Sequence, residues 1–183
     1  MNQAAIVDAA ASGDHRAFGL LAEQSADRLY GTATLILRDR AMAEDAVQDA
    51  LVRAWRDLPT LKDRSRWDAW VRRLTVHACI DEARRRRRRP TVTLLPEHDR
   101  PVRDATTQVA DRDQLERAFA RLSAQHRAAL VLHHHVGLPL PEIADALGVP
   151  LGTAKSRLHH ARRAMRAALE TDERLARTTG GAA

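Results

Sequence analysis

An all-α protein, built as two small helical domains joined by a flexible linker, is what three features of the sequence predict. Apolar residues recur at three- and four-residue steps in segment after segment, and no stretch alternates as a strand would. The chain has 183 residues, 44% of them hydrophobic but only 3% aromatic, so its interior has to be mainly Leu, Ala, Val and Ile, a composition that favours helices. Near the middle the periodicity stops, and Pro90, Pro96 and Pro101 stand among Thr, Asp and Glu. The expected plan is a front domain over 1–89, a linker over 90–111, a rear domain containing a helix-turn-helix over 112–170, and a flexible tail over 171–183.

Met1 to Gly13 reads as a short alanine-rich helix ended by its glycine. Asp14 is placed to cap a long helix whose Phe18, Leu21, Ser25, Leu29, Ala33 and Ile36 keep one stripe as far as Leu37, with Gly31 weakening it locally. A second helix is expected from Met42 to Leu58, with Val47, Ala50, Leu51, Ala54 and Trp55 inward and Pro59 closing it. Its early acids, Glu44, Asp45 and Asp49 around Gln48, suit a helix N-terminus and also suit a basic docking partner. After the polar loop Pro59 to Arg66, a third helix begins at Trp67 and includes Trp70, Val71, Leu74, Ala78 and Cys79, with Trp70 expected as a core anchor. Its polar side shows Arg72, Arg73, His77 and Asp81, and it runs into six consecutive arginines, Arg84 to Arg89, before Pro90. Such a run repels itself and frays the helix end unless a polyanion takes it up.

In the rear domain Leu115, Ala118, Phe119 and Leu122 resume the helical spacing, and Ser123 caps a helix carrying Ala128, Leu130, Val131 and Leu132 that ends at Gly137. Leu138 to Leu169 is the most informative stretch. Its first helix is short, with Ile143, Ala144 and Leu147 inward and Gly148 as its stop; Pro150 then suits the first position of the next helix. In that second helix Leu151, Ala154, Leu158, Ala161, Met165 and Leu169 form the apolar face. The opposite face presents Gly152, Thr153, Ser156 and His160 flanked by Lys155, Arg157, His159 and Arg163, with no carboxylate from Pro150 to Leu169. Small polar residues at a helix start, edged by cations, suit the DNA major groove.

The 30 Lys+Arg against 24 Asp+Glu give a formal charge of +6, a bias toward a polyanionic partner. Nearly all the cations are Arg; this suits phosphate and guanine, but a genome-wide codon bias produces the same excess. The single cysteine, Cys79, allows no internal disulfide framework and fits a reducing compartment. With no basic n-region ahead of an apolar run and no stretch of about 18 apolar residues, neither export nor membrane insertion is expected, and the chain is read as cytoplasmic. No phosphate loop, zinc-protease motif or nucleophile elbow is present, so no enzyme and no cofactor is expected. The consecutive His133, His134 and His135 point about 100° apart on a helix and cannot share one metal without unwinding it. Asp81 and Glu82 are neighbours on a helix rather than a facing acid/base pair.

Three segments in order, AEDAVQDALVRAW (Ala43 to Trp55), WDAWVRRLTVHACIDEARRRRR (Trp67 to Arg88) and LPEIADALGVPLGTAKSRLHHAR (Leu140 to Arg162), resemble the small two-domain sigma factors of bacterial RNA polymerase, the extracytoplasmic-function class. The resemblance covers about Asp14 to Leu169. It implies that Asp45, Gln48, Asp49, Val52 and Trp55 dock on the clamp of the polymerase beta-prime subunit, with the rear domain at the beta-subunit flap. It implies that the loop residues Lys62, Asp63 and Arg64 capture a base flipped from the promoter's minus-ten element, and that Arg72, Arg73, His77, Asp81, Arg84, Arg85 and Arg88 lie along that element. Gly152, Thr153, Lys155, Ser156, Arg157, His159, His160 and Arg163 fall where the family reads the minus-thirty-five duplex. An anti-sigma partner is a further implication. His77 stands where the family often has asparagine, and His160 at a commonly basic position. Two other readings fit parts of the chain: a polymerase-independent helix-turn-helix regulator, and an interaction protein whose arginine run binds RNA or ribosomes.

Overall fold

The computed structural model describes residues 2–88 and 107–180, with side chains described for 2–88 and 113–171. Its helices are α1 (Gln3–Ala11), α2 (His15–Leu37), α3 (Arg40–Asp57), α4 (Trp67–Arg88), α5 (Thr107–Ala120), α6 (Ala124–Leu130), α7 (Leu140–Leu147) and α8 (Leu151–Gly180), and no strand occurs among the described residues. The linker expected over 90–111 lies outside the described residues up to 106, and α5 begins at Thr107. The tail expected from 171 is helical as far as Gly180. There the helix-forming run continues α8, and Thr171 returns its hydroxyl to the Ala167 carbonyl at 2.8 Å.

Local chemistry sets the boundaries. Asp14 accepts the Arg16 and Ala17 amides, Asp39 accepts the Met42 amide, and Ser123 accepts the His126 amide, each satisfying a donor that the first turn leaves open. The Asp39 carboxyl is held below its ordinary range chiefly by that amide bond, helped by Arg86. α2 ends on Arg38 in the left-handed region at φ 59°.

α2, α3 and α4 pack as a bundle on small side chains. Ala33, Ala43, Ala50, Ala54 and Ala78 have no exposed surface, which lets the helix backbones approach closely. Trp67, not Trp70, is the buried anchor: its ring is wholly covered and its Nε1 donates to the buried Ser25 Oγ at 3.1 Å, while Trp70 is half-buried beside it. The two tryptophans share one stripe, and only the hydroxyl on the facing helix decides between them. Cys79 is buried in the same core, and burial pushes its thiol up to about 12.

In the rear half α6, α7 and α8 close over Leu132, Ile143, Ala154, Leu158 and Ala161. After Leu130 the chain widens into a π turn, Val131–His135, so the three histidines leave the α-helical register. The buried side chains of the two halves form one connected cluster. No described helix is long and apolar enough to cross a membrane.

Removing the hydroxyl that receives the indole proton leaves a buried donor unsatisfied. Ser25→Ala is therefore expected to cost about 1–3 kcal/mol, read as a lowered urea midpoint with unchanged slope.

Candidate nucleic-acid interface

The expected docking face on α3 is only partly open. Asp45, Gln48 and Val52 are exposed, Val52 by 67%, although it is a large apolar side chain. Asp49 instead pairs with Arg53 at 2.7 Å, one helical turn on, and reaches Arg85 of α4 at 3.9 Å. Trp55 turns toward the body of the domain, tilted on His15 at 4.6 Å and edge-on to Phe18 at 5.0 Å.

The loop before α4 is built by its own side chains. Asp63 accepts both the amide and the hydroxyl of Ser65, and this hydroxyl bond is the main reason its carboxyl stays below the ordinary range. Arg64 folds back: its Nη1 donates to the Leu58 and Leu61 carbonyls, and its Nε to Asp8 at 3.0 Å. Lys62 and Asp63 face solvent, whereas Arg64 is a brace of the loop.

α4 carries Val71, Thr75, Ala78 and Cys79 on its buried side and Arg73, Arg84, Arg85 and Arg88 on its exposed side. Carboxylates of the chain already hold part of the arginine run: Arg84 pairs with Asp81 at 3.2 Å, Arg85 with Glu82 at 3.0 Å, and Arg86 with Asp39 at 2.8 Å. Among the described residues Arg87 and Arg88 have no such carboxylate, and Arg89 lies outside them. Ion pairs this exposed are weak, so a polyanion can exchange for them.

The helix-turn-helix closes as expected at its turn. Gly148 is left-handed at φ 63°, its amide donates to the Asp145 carbonyl, and the Val149 amide donates to the Ala144 carbonyl at 3.0 Å. This is the paired C-terminal cap that only a residue without Cβ strain adopts cheaply. Pro150 lies one residue before the helix, its carbonyl accepting the Ala154 amide. On α8, Gly152, Lys155, Ser156, His159, His160 and Arg163 are exposed, while Thr153 and Arg157 are half-buried. Leu151, expected inward, is 51% exposed, because the first residue of α8 precedes the point where the helix meets its neighbours.

His77 and Arg72 are not open to solvent as their neighbours are. The rear domain lies against them: Arg72 stands 3.8 Å from Glu142, Arg66 3.9 Å from Asp145, and the Gly148 backbone packs directly on the His77 ring. Arg127 of α6, which sequence reasoning missed, donates to the Ile36 carbonyl at the end of α2 and to the Leu122 carbonyl of its own domain. Nothing in its local spacing distinguishes it from a surface arginine. Among the described residues no three His, Cys, Asp or Glu side chains converge as metal ligands.

Residues 21–89 match the family model for sigma-70 region 2, and residues 112–165 match that for sigma-70 region 4. The chain is 35% identical over 161 residues to the ECF RNA polymerase sigma factor SigM of Mycobacterium tuberculosis, covering 88% of this chain and 81% of that one. It is 35% identical over 168 residues to SigL of the same organism, covering 90% and 95%. Among solved structures, CnrH in complex with the cytosolic domain of CnrY aligns with a TM-score of 0.63 at 27% identity, over 93% of this chain and 98% of that one. The sigma factor RpoE from Bartonella quintana, solved with the anti-sigma factor NepR, shares the fold at a TM-score of 0.60 and 24% identity, over 85% and 98%.

Burial, first, and neighbouring cations hold three histidines below the ordinary value of 6.5: His77 beside Arg73, His126 beside His160 and Arg157, and His134 beside His133 and Arg162. Their contribution to stability is full above that unfolded value and is eroded as the pH falls through it toward the lowered folded values. The urea midpoint is therefore expected to drop between about pH 7 and pH 5, and less steeply in His77→Gln.

Proposed function

The chain belongs to the sigma-70 family, in its extracytoplasmic-function class, and from that premise we propose that it binds core RNA polymerase and directs it to promoters by reading a minus-ten and a minus-thirty-five element. As a sigma factor it is a transcription initiation factor, and the chemistry of RNA synthesis belongs to the polymerase. What carries the reading is the order of two matched regions in one chain, region 2 over 21–89 and region 4 over 112–165, each with an exposed cationic helix face where a nucleic acid would lie.

In this reading the open residues of α3, Asp45, Gln48 and Val52, meet the clamp, the acids answering a basic surface and Val52 losing water on contact. Arg73, Arg84, Arg85 and Arg88 neutralise phosphates beside the melted element, and the loop of Lys62 and Asp63 receives an extruded base. The start of α8 enters the major groove, where Lys155 and Ser156 supply donors to base edges and Arg163 reaches the backbone. Neither reader has to bind tightly, since the chain joining them raises the effective concentration of the second once the first is engaged. We further propose that a protein partner sequesters the free chain, as the likeness to CnrH is to a structure of a complex with another protein's cytosolic domain.

The decisive measurement is transcription from a template pool by core polymerase with and without the purified chain. Start-site-specific transcripts that need the chain are expected; a polymerase-independent regulator or an RNA binder yields none. Reversing Arg84 and Arg85 to Glu should weaken holoenzyme binding to promoters of every sequence and reduce the salt slope by about 2, whereas Lys155→Ala should relax preference at one base-pair position by about 1–3 kcal/mol.

A further inference from the structure

We infer that α1 is the positioning element of the minus-ten loop: Asp8 on α1 grips the Arg64 guanidinium, Arg64 holds the Leu58 and Leu61 carbonyls, and the loop is thereby shaped to receive a base before DNA arrives. The inference rests on the role proposed for Lys62 and Asp63, and it adds a residue outside the region 2 match, which begins at residue 21.

The loop consists of two short turns. In the first, the Leu61 amide donates to the Leu58 carbonyl at 3.0 Å and the Thr60 hydroxyl to the Asp57 carbonyl at 2.6 Å. In the second, the Arg66 amide donates to the Asp63 carbonyl at 3.1 Å, and Asp63 accepts the Ser65 amide. Arg64 joins the two, its Nη1 donating to both the Leu58 and the Leu61 carbonyl. Lys62 and Asp63 are left between the fixed points, exposed at the tip. The Arg64 Nε then donates to Asp8 at 3.0 Å. With its side chain 25% exposed, this guanidinium is a part of the wall rather than a free cation.

α1 can serve as that wall because its other side is sunk in the core: Val7 is wholly buried, and Ile6 and Ala10 nearly so. Asn2 caps its first turn, and Gln3 donates to Asp68, the second residue of α4, at 3.2 Å. Arg28 of α2 holds the same carboxylate at 2.8 Å. Asp8 therefore ties the loop to the body of the bundle. A loop without this tie has to be ordered by the DNA it binds, whereas one ordered in advance is spared that cost. An ion pair whose carboxylate is 65% exposed adds little to stability, so its effect belongs in recognition rather than in unfolding.

The test uses holoenzyme assembled from core polymerase and the full chain, on a promoter recovered from the template pool, with an abasic site placed in turn at each position of the minus-ten non-template strand. The wild-type chain should bind several-fold more weakly when the abasic site falls at the extruded base. Asp8→Ala should lose most of that discrimination. Its response to the other abasic positions and the urea midpoint of the free chain should match those of Glu23→Ala, an exposed α2 control. Asp8→Glu, which keeps the carboxylate, should restore the discrimination. The swap Asp8→Arg with Arg64→Asp should not, since an aspartate cannot donate to the Leu58 and Leu61 carbonyls. In the free chain, hydrogen exchange of the Leu61 and Arg66 amides should quicken several-fold in Asp8→Ala. Undiminished discrimination in Asp8→Ala, unchanged exchange, or rescue by the swap overturns the positioning role. Faster exchange in Asp8→Ala beside a wild-type chain indifferent to every abasic site supports the tie and tells against base capture by the loop, so the two failures are distinguishable.

Discussion

One helix has to be dry on one side and cationic on the other, and the arrangement of the molecule follows from that. α4 buries Trp67, Val71, Thr75 and Cys79 against α2 and α3, and the indole proton finds its acceptor in Ser25 across the interface. With the ring anchored, the rotation of α4 about its axis is set, and Arg73 and the run from Arg84 to Arg88 point outward. Alanines at the contacts keep the three helices close enough for carboxylates of α3 and of the preceding turn to reach the arginine run. Arg84, Arg85 and Arg86 are thus held as ion pairs at the surface.

The helix-turn-helix works by the same economy. Gly148 closes α7 with two amide bonds, and Pro150 offers its carbonyl to the first turn of α8. With the turn held by backbone alone, the side chains at the start of α8 are free to be chosen for what they touch. Seen with α4, the chain has two cationic helices mounted on one connected core, and the present structure exposes one more fully than the other.

Much of this was legible in the sequence because it is local. Asp14 and Ser123 announce helix starts, Gly148 a stop, and the three-and-four spacing of Leu21, Ser25, Leu29 and Ile36 a buried stripe that the structure bears out. Interactions that depend on what faces a residue were not legible. Spacing turned Trp55 inward but could not choose Trp67 over Trp70, turn Arg64 into a brace for its loop, or bend the three histidines into a π turn. The seat of α7 on α4 is the extreme case, since Glu142 and Asp145 read as ordinary acids of a short helix until Arg72 and Arg66 are found beside them. Helix existence is written in periodicity; partnership between helices is written only in the fold.

Cys79 carries a last consequence. A thiol reacts through its anion, and this one is sealed in the bundle with its ionisation pushed up to about 12. Near neutral pH the anion is scarce and the surrounding helices screen it, so Cys79 is poorly placed to act as a redox trigger. Any oxidation of this thiol would have to wait for the bundle to open.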